Sequence, residues 1–380
     1  MRVCLVYDCL FPWTVGGAER WYRNLGERLA ADGHEVTYVT LRQWDRGVDP
    51  SYDGVRVRAV GPQMPLYAGG RRRILPPLVF GAGVLLHLAR HGRRYDVVHT
   101  ASFPYFSLLA AGLLRRTAGY RLAVDWHEVW SRAYWREYLG RAGSVGHAVQ
   151  AVGMRMPQQA FCFSRLHRDR LLAGGVRGAV TVLEGEYAGD LTPREPQPAE
   201  PVAVFAGRHI AEKRAPALVP AIAVARSAIP DLRGEIYGDG PERPAVLAAI
   251  ERAGMQGVVS APGFVAAEDV DAALRRALCM VLPSSREGYG LVVVEAAARG
   301  TPSIVVRAED NAAVELVDDG QNGVVADSAS AEDLAAAIVR VHGEGEALRA
   351  RTREWFARNA HRLSLAASVE TVAATYRARS

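Results

Sequence analysis

Two periodicities alternate along the chain. Short apolar, β-branched runs at Val3 to Tyr7, Glu35 to Leu41, Val97 to Thr100, Arg121 to Asp125 and Phe161 to Ser164 are separated by longer stretches, such as Ala18 to Ala31, with apolar residues every three to four positions. Strands alternating with helices predict a parallel sheet covered on both faces, since two parallel strands need a long crossover between them. The alternation stops at Thr192 to Pro201, where four prolines in ten residues end any strand or helix. It restarts with Val202 to Ala206, a helix after Arg214, Gly234 to Tyr237, a helix after Pro241, Met280 to Leu282, a helix from near Gly290, and Ser303 to Val306. The last segment, Trp355 to Arg377, keeps one helical pattern throughout.

This pattern predicts an α/β fold of two Rossmann-like, doubly wound parallel-sheet domains. The expected boundaries are residues 1–190, a Pro-rich linker over 191–201, residues 202–360, and a C-terminal helix over 361–380 that packs back on the first domain. Ligands of such sheets bind beyond the carboxyl ends of the strands, so the functional site is expected in a cleft between the domains.

With 49% of 380 residues hydrophobic, the chain has enough apolar mass for two cores, which excludes disorder and fibrous structure as its main state. Four cysteines without a CxxC pair argue against a disulfide framework, a structural zinc site and a dithiol redox site. The chain opens directly on a strand-like run, and its longest apolar stretches, Ile74 to Ala89 and Phe103 to Leu114, fall short of the roughly 18 residues that span a bilayer. A cytoplasmic protein is the expectation. Residues 1–190 carry 25 Arg against 16 acids, while residues 191–380 carry 21 Arg or Lys against 25 acids, so the halves are expected to meet different partners, the basic one facing something anionic. Lys213 is the single lysine, so an arginine cluster weighs less here than in a chain that uses both cations.

Several motifs carry candidate chemistry. Gly16-Gly17-Ala18-Glu19 opens a helix after the first strand, a plain tight turn or a place where backbone NH groups meet a phosphate. FAGRHIAEKR brings Arg208 and Lys213 to the end of the second half's first strand, as a surface pair or as cations for a diphosphate. IYGDGPER is a strand, a turn and a helix start. SSREGYGLVVVEAAARGTP places Glu287 and Glu295 around Gly288-Tyr289-Gly290, with a helix start at Gly290 whose NH groups suit phosphate and two carboxylates that suit ligand hydroxyls. In DWHEVWSRAYWREY, Trp126, Trp130, Tyr134 and Tyr138 recur every four residues and share a face if the segment is helical, either buried in the core or stacking on a sugar or apolar acceptor. Arg71 to Arg73 and Arg90 to Arg94 flank the apolar Ile74 to Ala89, as a solvated face or a peripheral contact with an anionic membrane at its inner face. No nucleic-acid module is visible. No metal cluster is either, and Asp318-Asp319 reads as a solvated loop.

Taken together, the GGAE loop, the Gly-Arg and Lys of FAGRHIAEKR, GDGPER, APGFV, the two-glutamate stretch with its ARGTP, and DDGQNG resemble glycosyltransferase family 4, retaining enzymes of the GT-B fold, over nearly the whole chain. The resemblance implies transfer of a sugar from a UDP-, GDP-, ADP- or dTDP-sugar to a hydroxyl acceptor, with no cofactor or metal. It implies that Arg208 and Lys213 bind the diphosphate, Glu287 holds sugar hydroxyls, Glu295 holds the ribose, Gly16 or Gly17 approaches the phosphates, and Val265 and Leu291 lie by the nucleotide. Gly288, Tyr289 and Gly290 fall in the same donor set. His127 matches a histidine lining the sugar pocket, and with Glu128, Trp130 and Tyr134 forms the expected acceptor surface. The chain departs from the family pattern at Glu128, usually Asp, and at Leu183-Glu184-Gly185, usually Pro-Asn-Gly. The rival readings are a non-hydrolysing sugar-nucleotide epimerase and a catalytically silent binding protein of the same fold. A simple dehydrogenase lacks its GxGxxG and ribose-binding acid.

Overall fold

A computed structural model describes residues 1–68, 71–192 and 197–377. Part of the expected linker, residues 193–196, therefore lies outside the described residues, as do the side chains of Arg71 and Arg72.

The chain divides into two units, Met1–Glu184 with Leu365–Ser380, and Gly185–Ser364. In chain order the first unit holds β1 (Arg2–Val6), α1 (Gly17–Ala31), β2 (Glu35–Thr40), β3 (Val55–Ala59), the short pair β4 (Tyr67–Ala68) and β5 (Arg71–Arg72), α2 (Leu75–His91), β6 (Val97–Ala101), α3 (Phe106–Ala118), β7 (Arg121–Trp126), α4 (Arg132–Leu139), α5 (Gly143–Arg155), β8 (Gln159–Cys162), α6 (Arg165–Ala173) and β9 (Val180–Val182). The second holds β10 (Glu200–Ala206), α7 (Leu218–Ala225), β11 (Arg233–Tyr237), α8 (Arg243–Arg252), β12 (Val259–Gly263), α9 (Ala267–Arg276), β13 (Ala277–Leu282), β14 (Arg286–Glu287), α10 (Leu291–Ala297), β15 (Ser303–Val306), β16 (Asp310–Asn311), β17 (Gly323–Ala326) and α11 (Ala331–Asn359). The chain then returns to the first unit as α12 (Leu365–Arg377).

Each unit has one large parallel sheet, ordered β3-β2-β1-β6-β7-β8-β9 in the first and β12-β11-β10-β13-β15-β17 in the second. Both are doubly wound, as the alternation of periods predicts, and in both the order reverses beside the unit's first strand. That reversal splays the loops after β1 and β6, and those after β10 and β13, to opposite sides, which opens a crevice at the carboxyl edge. The central strands are buried on both faces: Val3 to Val6 and Val202 to Phe205 have no exposure, as strands covered by helices on two sides require. All four cysteines are buried.

Three sequence expectations need correction. Trp126 to Tyr138 is not one helix: Trp126 ends β7, paired with Cys162, and α4 begins only at Arg132 after the Ser131 hydroxyl caps Tyr134 N. Trp355 to Arg377 is two helices, because Leu363 and Ser364 leave the helical path to pair with Tyr187. There Gly185 touches the returning chain so closely that a Cβ would stand 2.2 Å from the Ser364 carbonyl oxygen, which accounts for glycine in the Leu183-Glu184-Gly185 departure. Finally, β10 begins inside the Pro-rich stretch, at Glu200, because the sheet accepts Pro201 near the start of a strand.

Candidate functional site

The loops carrying the second-half motifs converge at the carboxyl edge of the second sheet. His209 N donates to the Asp239 carbonyl at 2.9 Å, Glu242 N to the His209 carbonyl at 2.9 Å, and Gly238 N to the Gly263 carbonyl at 2.9 Å, so the loops after β10, β11 and β12 are bonded edge to edge. Glycine is required here: Gly238 has φ of +117°, and a Cβ on it would meet the Gly207 carbonyl oxygen at 1.9 Å. On the other side Ser285 N donates to the Glu212 carbonyl at 2.8 Å and Arg286 pairs with Glu212 at 2.7 Å, drawing the loop after β13 against Lys213.

The centre of this edge is an ion pair. Lys213 Nζ donates to Glu287 Oε1 at 2.5 Å, and the buried Ser284 hydroxyl donates to the same oxygen at 2.7 Å. Both bonds fall on Oε1. Glu287 is held in β14, whose partner β16 contributes Asn311; the Asn311 amide donates to the Ser284 and Val306 carbonyls. Arg208 differs from Lys213: it is exposed, and it has no ion pair among the described residues. Gly290, φ +102°, turns the chain into α10 with its α-carbon against Ala313, where a Cβ would come within 2.6 Å. Tyr289 is buried, Gly288 and Leu291 are half-buried, and Glu295 lies half-buried in the second turn of α10. Val265 is half-buried beside Phe264, whose ring is 82% exposed.

In the first unit Gly16 caps α1 and Gly17 is its exposed first residue. His127 follows β7, stacked on Phe163 with ring centroids 4.8 Å apart. Burial pushes His127 below its usual value despite the neighbouring Asp125 carboxylate. Asp125 is itself fully buried; burial opposes its charge, but His99 at 2.8 Å and the Trp21 indole NH at 2.7 Å hold its carboxyl below the usual range. His99 in turn lies 2.5 Å from the Tyr376 hydroxyl of α12. Trp130 is half-buried, its indole NH donating to Glu128 at 2.7 Å, and it is ringed by Phe103, Tyr134, Trp135 and Tyr138. Tyr134 is only 7% exposed, so most of its ring serves packing.

The description "Glycosyltransferase Family 4" matches residues 15–184, and "Glycosyl transferases group 1" matches residues 192–360. The chain belongs to glycosyltransferase family 4. It is similar to a glycogen synthase of Mycobacterium tuberculosis, 28% identical over 93% of this chain and 89% of the relative. Among solved structures it resembles sucrose-phosphate synthase from Thermosynechococcus elongatus, with a TM-score of 0.79 at 21% identity over 99% of this chain and 98% of the other. It also resembles HepE of Anabaena in complex with UDP-glucose, with a TM-score of 0.73 at 17% identity over the whole of both chains. The fold of this family 4 member is GT-B.

Sequence reasoning missed Ser284, Asn311 and the Trp21-Asp125-His99-Tyr376 group. Ser284 stood inside a stretch already singled out, where a serine three residues before a glutamate was the available signal. Asn311 had none, because its partners become neighbours only when β14 and β16 pair. Asp318 and Asp319 are also more than a solvated loop: Asp318 accepts from the Trp355 indole at 2.6 Å and Asp319 pairs with Arg340 at 2.9 Å. Among the described residues no group of three or more His, Cys, Asp or Glu side chains is placed to hold a metal.

Proposed function

We propose that this family 4 glycosyltransferase moves a sugar from a nucleotide diphosphate sugar to an acceptor hydroxyl with retention at the anomeric carbon, the second unit binding the donor and the first the acceptor. The observation that carries the reading is the meeting of Lys213 and Glu287 at the point where the second sheet reverses its strand order, with Arg208 in the same loop after β10 as Lys213. Arg208, exposed and without an ion pair among the described residues, takes diphosphate oxygens bidentately, and Lys213 adds a point charge. Glu287 keeps Lys213 in place and offers Oε2 to sugar hydroxyls, while Glu295 takes the ribose, with Gly288 to Leu291 and Val265 along the nucleotide. Gly16 and Gly17 remain donor-side positions of the first unit.

As the bond from the anomeric carbon to the phosphate oxygen breaks, the acceptor oxygen bonds the carbon on the same face, and the departing phosphate oxygen takes the acceptor proton. Preorganised cations lower this barrier because charge grows on the leaving group. A panel of UDP-, GDP-, ADP- and dTDP-sugars tests the reading. One donor class should raise the melting temperature, by about 2.7 kcal/mol of stabilisation at a hundredfold excess over Kd, and the product should keep the donor's anomeric configuration. Transfer should persist in excess chelator. Release of a 2-epimeric sugar without acceptor would establish the epimerase instead, and activity lost on chelation and restored by one divalent ion would overturn the metal-free site.

Acceptor binding falls to His127, Glu128, Trp130 and Tyr134, with Trp130 offering the ring face that Tyr134 supports edge-on at 4.8 Å. Trp130→Leu is expected to raise the acceptor KM about fivefold, with donor affinity unchanged, since a stacking ring contributes about 1 kcal/mol beyond its area. Tyr134→Leu should lower the melting temperature. A changed melting temperature with normal acceptor kinetics in Trp130→Leu would make the whole cluster a core feature.

The same reading places the enzyme in the cytoplasm at the inner face of an anionic membrane, touching it through the Arg71 to Arg94 segment. Support comes from α2, whose exposed Leu75, Leu78, Ala82, Leu86 and Ala89 follow one another at three- to four-residue spacing and form a single apolar stripe. Arg73 precedes the stripe, and Arg90, Arg93 and Arg94 follow it. Among the described residues no helix is long and apolar enough to cross a membrane.

A further inference from the structure

At the amino-terminal edge of the first sheet, the edge opposite Gly16 and His127, lies a cavity of about 310 Å³. Arg2, Arg56, Arg58, Arg94, His87 and His91 line it together with Glu35, drawn from the starts of β1 and β2, from β3, the last turns of α2 and the approach to β6. Two of these cations are already compensated: Arg2 pairs with Asp96 at 3.0 Å, and Arg56 faces Glu35 at 3.8 Å. Arg58 and Arg94 are exposed and have no ion pair among the described residues. The cavity therefore holds two uncompensated positive charges on side chains that approach from separate elements. One wall is fixed and hydrogen-bonding, because His87 Nε2 lies 2.9 Å from the Tyr95 hydroxyl. Burial pushes His87 down to about 4, with His91 and Arg58 adding to the effect, so its ring is neutral at pH 7.

We propose that this cavity binds a phosphate group carrying two negative charges. The volume sits at the lower end of the range for small-ligand sites, which suits a phosphate ester with a small head. Two arginines from different elements match a doubly charged oxyanion, each able to donate along two NH groups. His87 and His91 belong to α2, the helix that carries the apolar stripe, so the phosphate of a lipid headgroup and a soluble phosphate ester are its two sources. Only the lipid source rests on the membrane contact proposed above; the cavity itself is independent of the donor site.

The test compares wild type with Arg58→Ala/Arg94→Ala, in which both changed side chains are exposed. Inorganic phosphate, set against chloride at equal ionic strength, should raise the wild-type melting temperature, and the shift should be lost or sharply reduced in the variant. Vesicles of phosphatidylcholine with phosphatidic acid should bind the variant about thirtyfold more weakly, the expectation for two arginines near an anionic surface. The variant should also lose the wild-type preference over phosphatidylglycerol vesicles of matched charge. Leu78→Ser/Leu86→Ser should abolish vesicle binding and leave the phosphate shift intact. An equal phosphate shift in wild type and Arg58→Ala/Arg94→Ala overturns the proposal whatever the vesicles do. An arginine-dependent phosphate shift without wild-type vesicle binding keeps the cavity as a site for a soluble phosphate ester and removes the membrane contact.

Discussion

Arg208→Ala and Lys213→Ala should each lower turnover at saturating donor by about a hundredfold or more, since each removes a fixed charge facing the negative charge that builds on the leaving diphosphate. The two variants should differ in stability. Arg208 is exposed and has no ion pair among the described residues, so its loss should leave the melting temperature unchanged. Lys213 is the cation 2.5 Å from Glu287, whose side chain is only 7% exposed, and removing it leaves a buried carboxylate without its partner. Breaking a fully buried pair costs about 3 kcal/mol or more; Lys213 keeps 21% of its side-chain surface, so the loss here should be smaller but measurable. Steady-state kinetics with calorimetric melting separates the two effects. Near-normal turnover in both variants at saturating donor would remove the diphosphate role.

Glu287→Gln and Glu295→Gln should part company although both lie in one short motif. Glutamine at 287 still accepts from Ser284 and Lys213 but no longer presents a charged oxygen to a sugar hydroxyl. Its kcat should therefore fall by about 10²-fold while affinity for the free nucleoside diphosphate holds. Glu295→Gln should weaken that affinity by about tenfold to a hundredfold, the range for losing a charged hydrogen bond, with a smaller effect on the chemical step. Calorimetric titration of the nucleoside diphosphate, paired with single-turnover transfer, reads both quantities. The reverse pattern would exchange the sugar and ribose positions between β14 and α10.

The candidate site was legible wherever one loop carries its own motif. Gly207-Arg208, Gly238 and Gly288 to Gly290 each sit where a strand ends and a helix starts, and that boundary shows in a single stretch of sequence because the period of apolar residues changes there. The aromatic stripe was not legible in this way. A four-residue spacing from Trp126 to Tyr138 fits a helix, yet Trp126 belongs to a strand, buried with its indole NH on Gln158 at 2.8 Å. Pairing with β8 overrode the local spacing.

Local period and turn chemistry, which the sequence carries residue by residue, determined the two doubly wound sheets, the order of strands and helices, and the family. Both signals depend only on neighbours along the chain. What joins distant residues was decided by tertiary structure: Lys213 and Glu287 meet across 74 positions, and His99 and Tyr376 across 277. The same holds for the arginines at the foot of the first sheet, contributed by β1, β3 and the turn after α2. The apolar pattern of a strand or helix says which face is buried and leaves open what will cover it, because hydrophobic burial is non-directional. Strand order and register supply that missing partner, and in this protein they turn one lysine and one glutamate, unremarked as a pair in the sequence, into the centre of the candidate site.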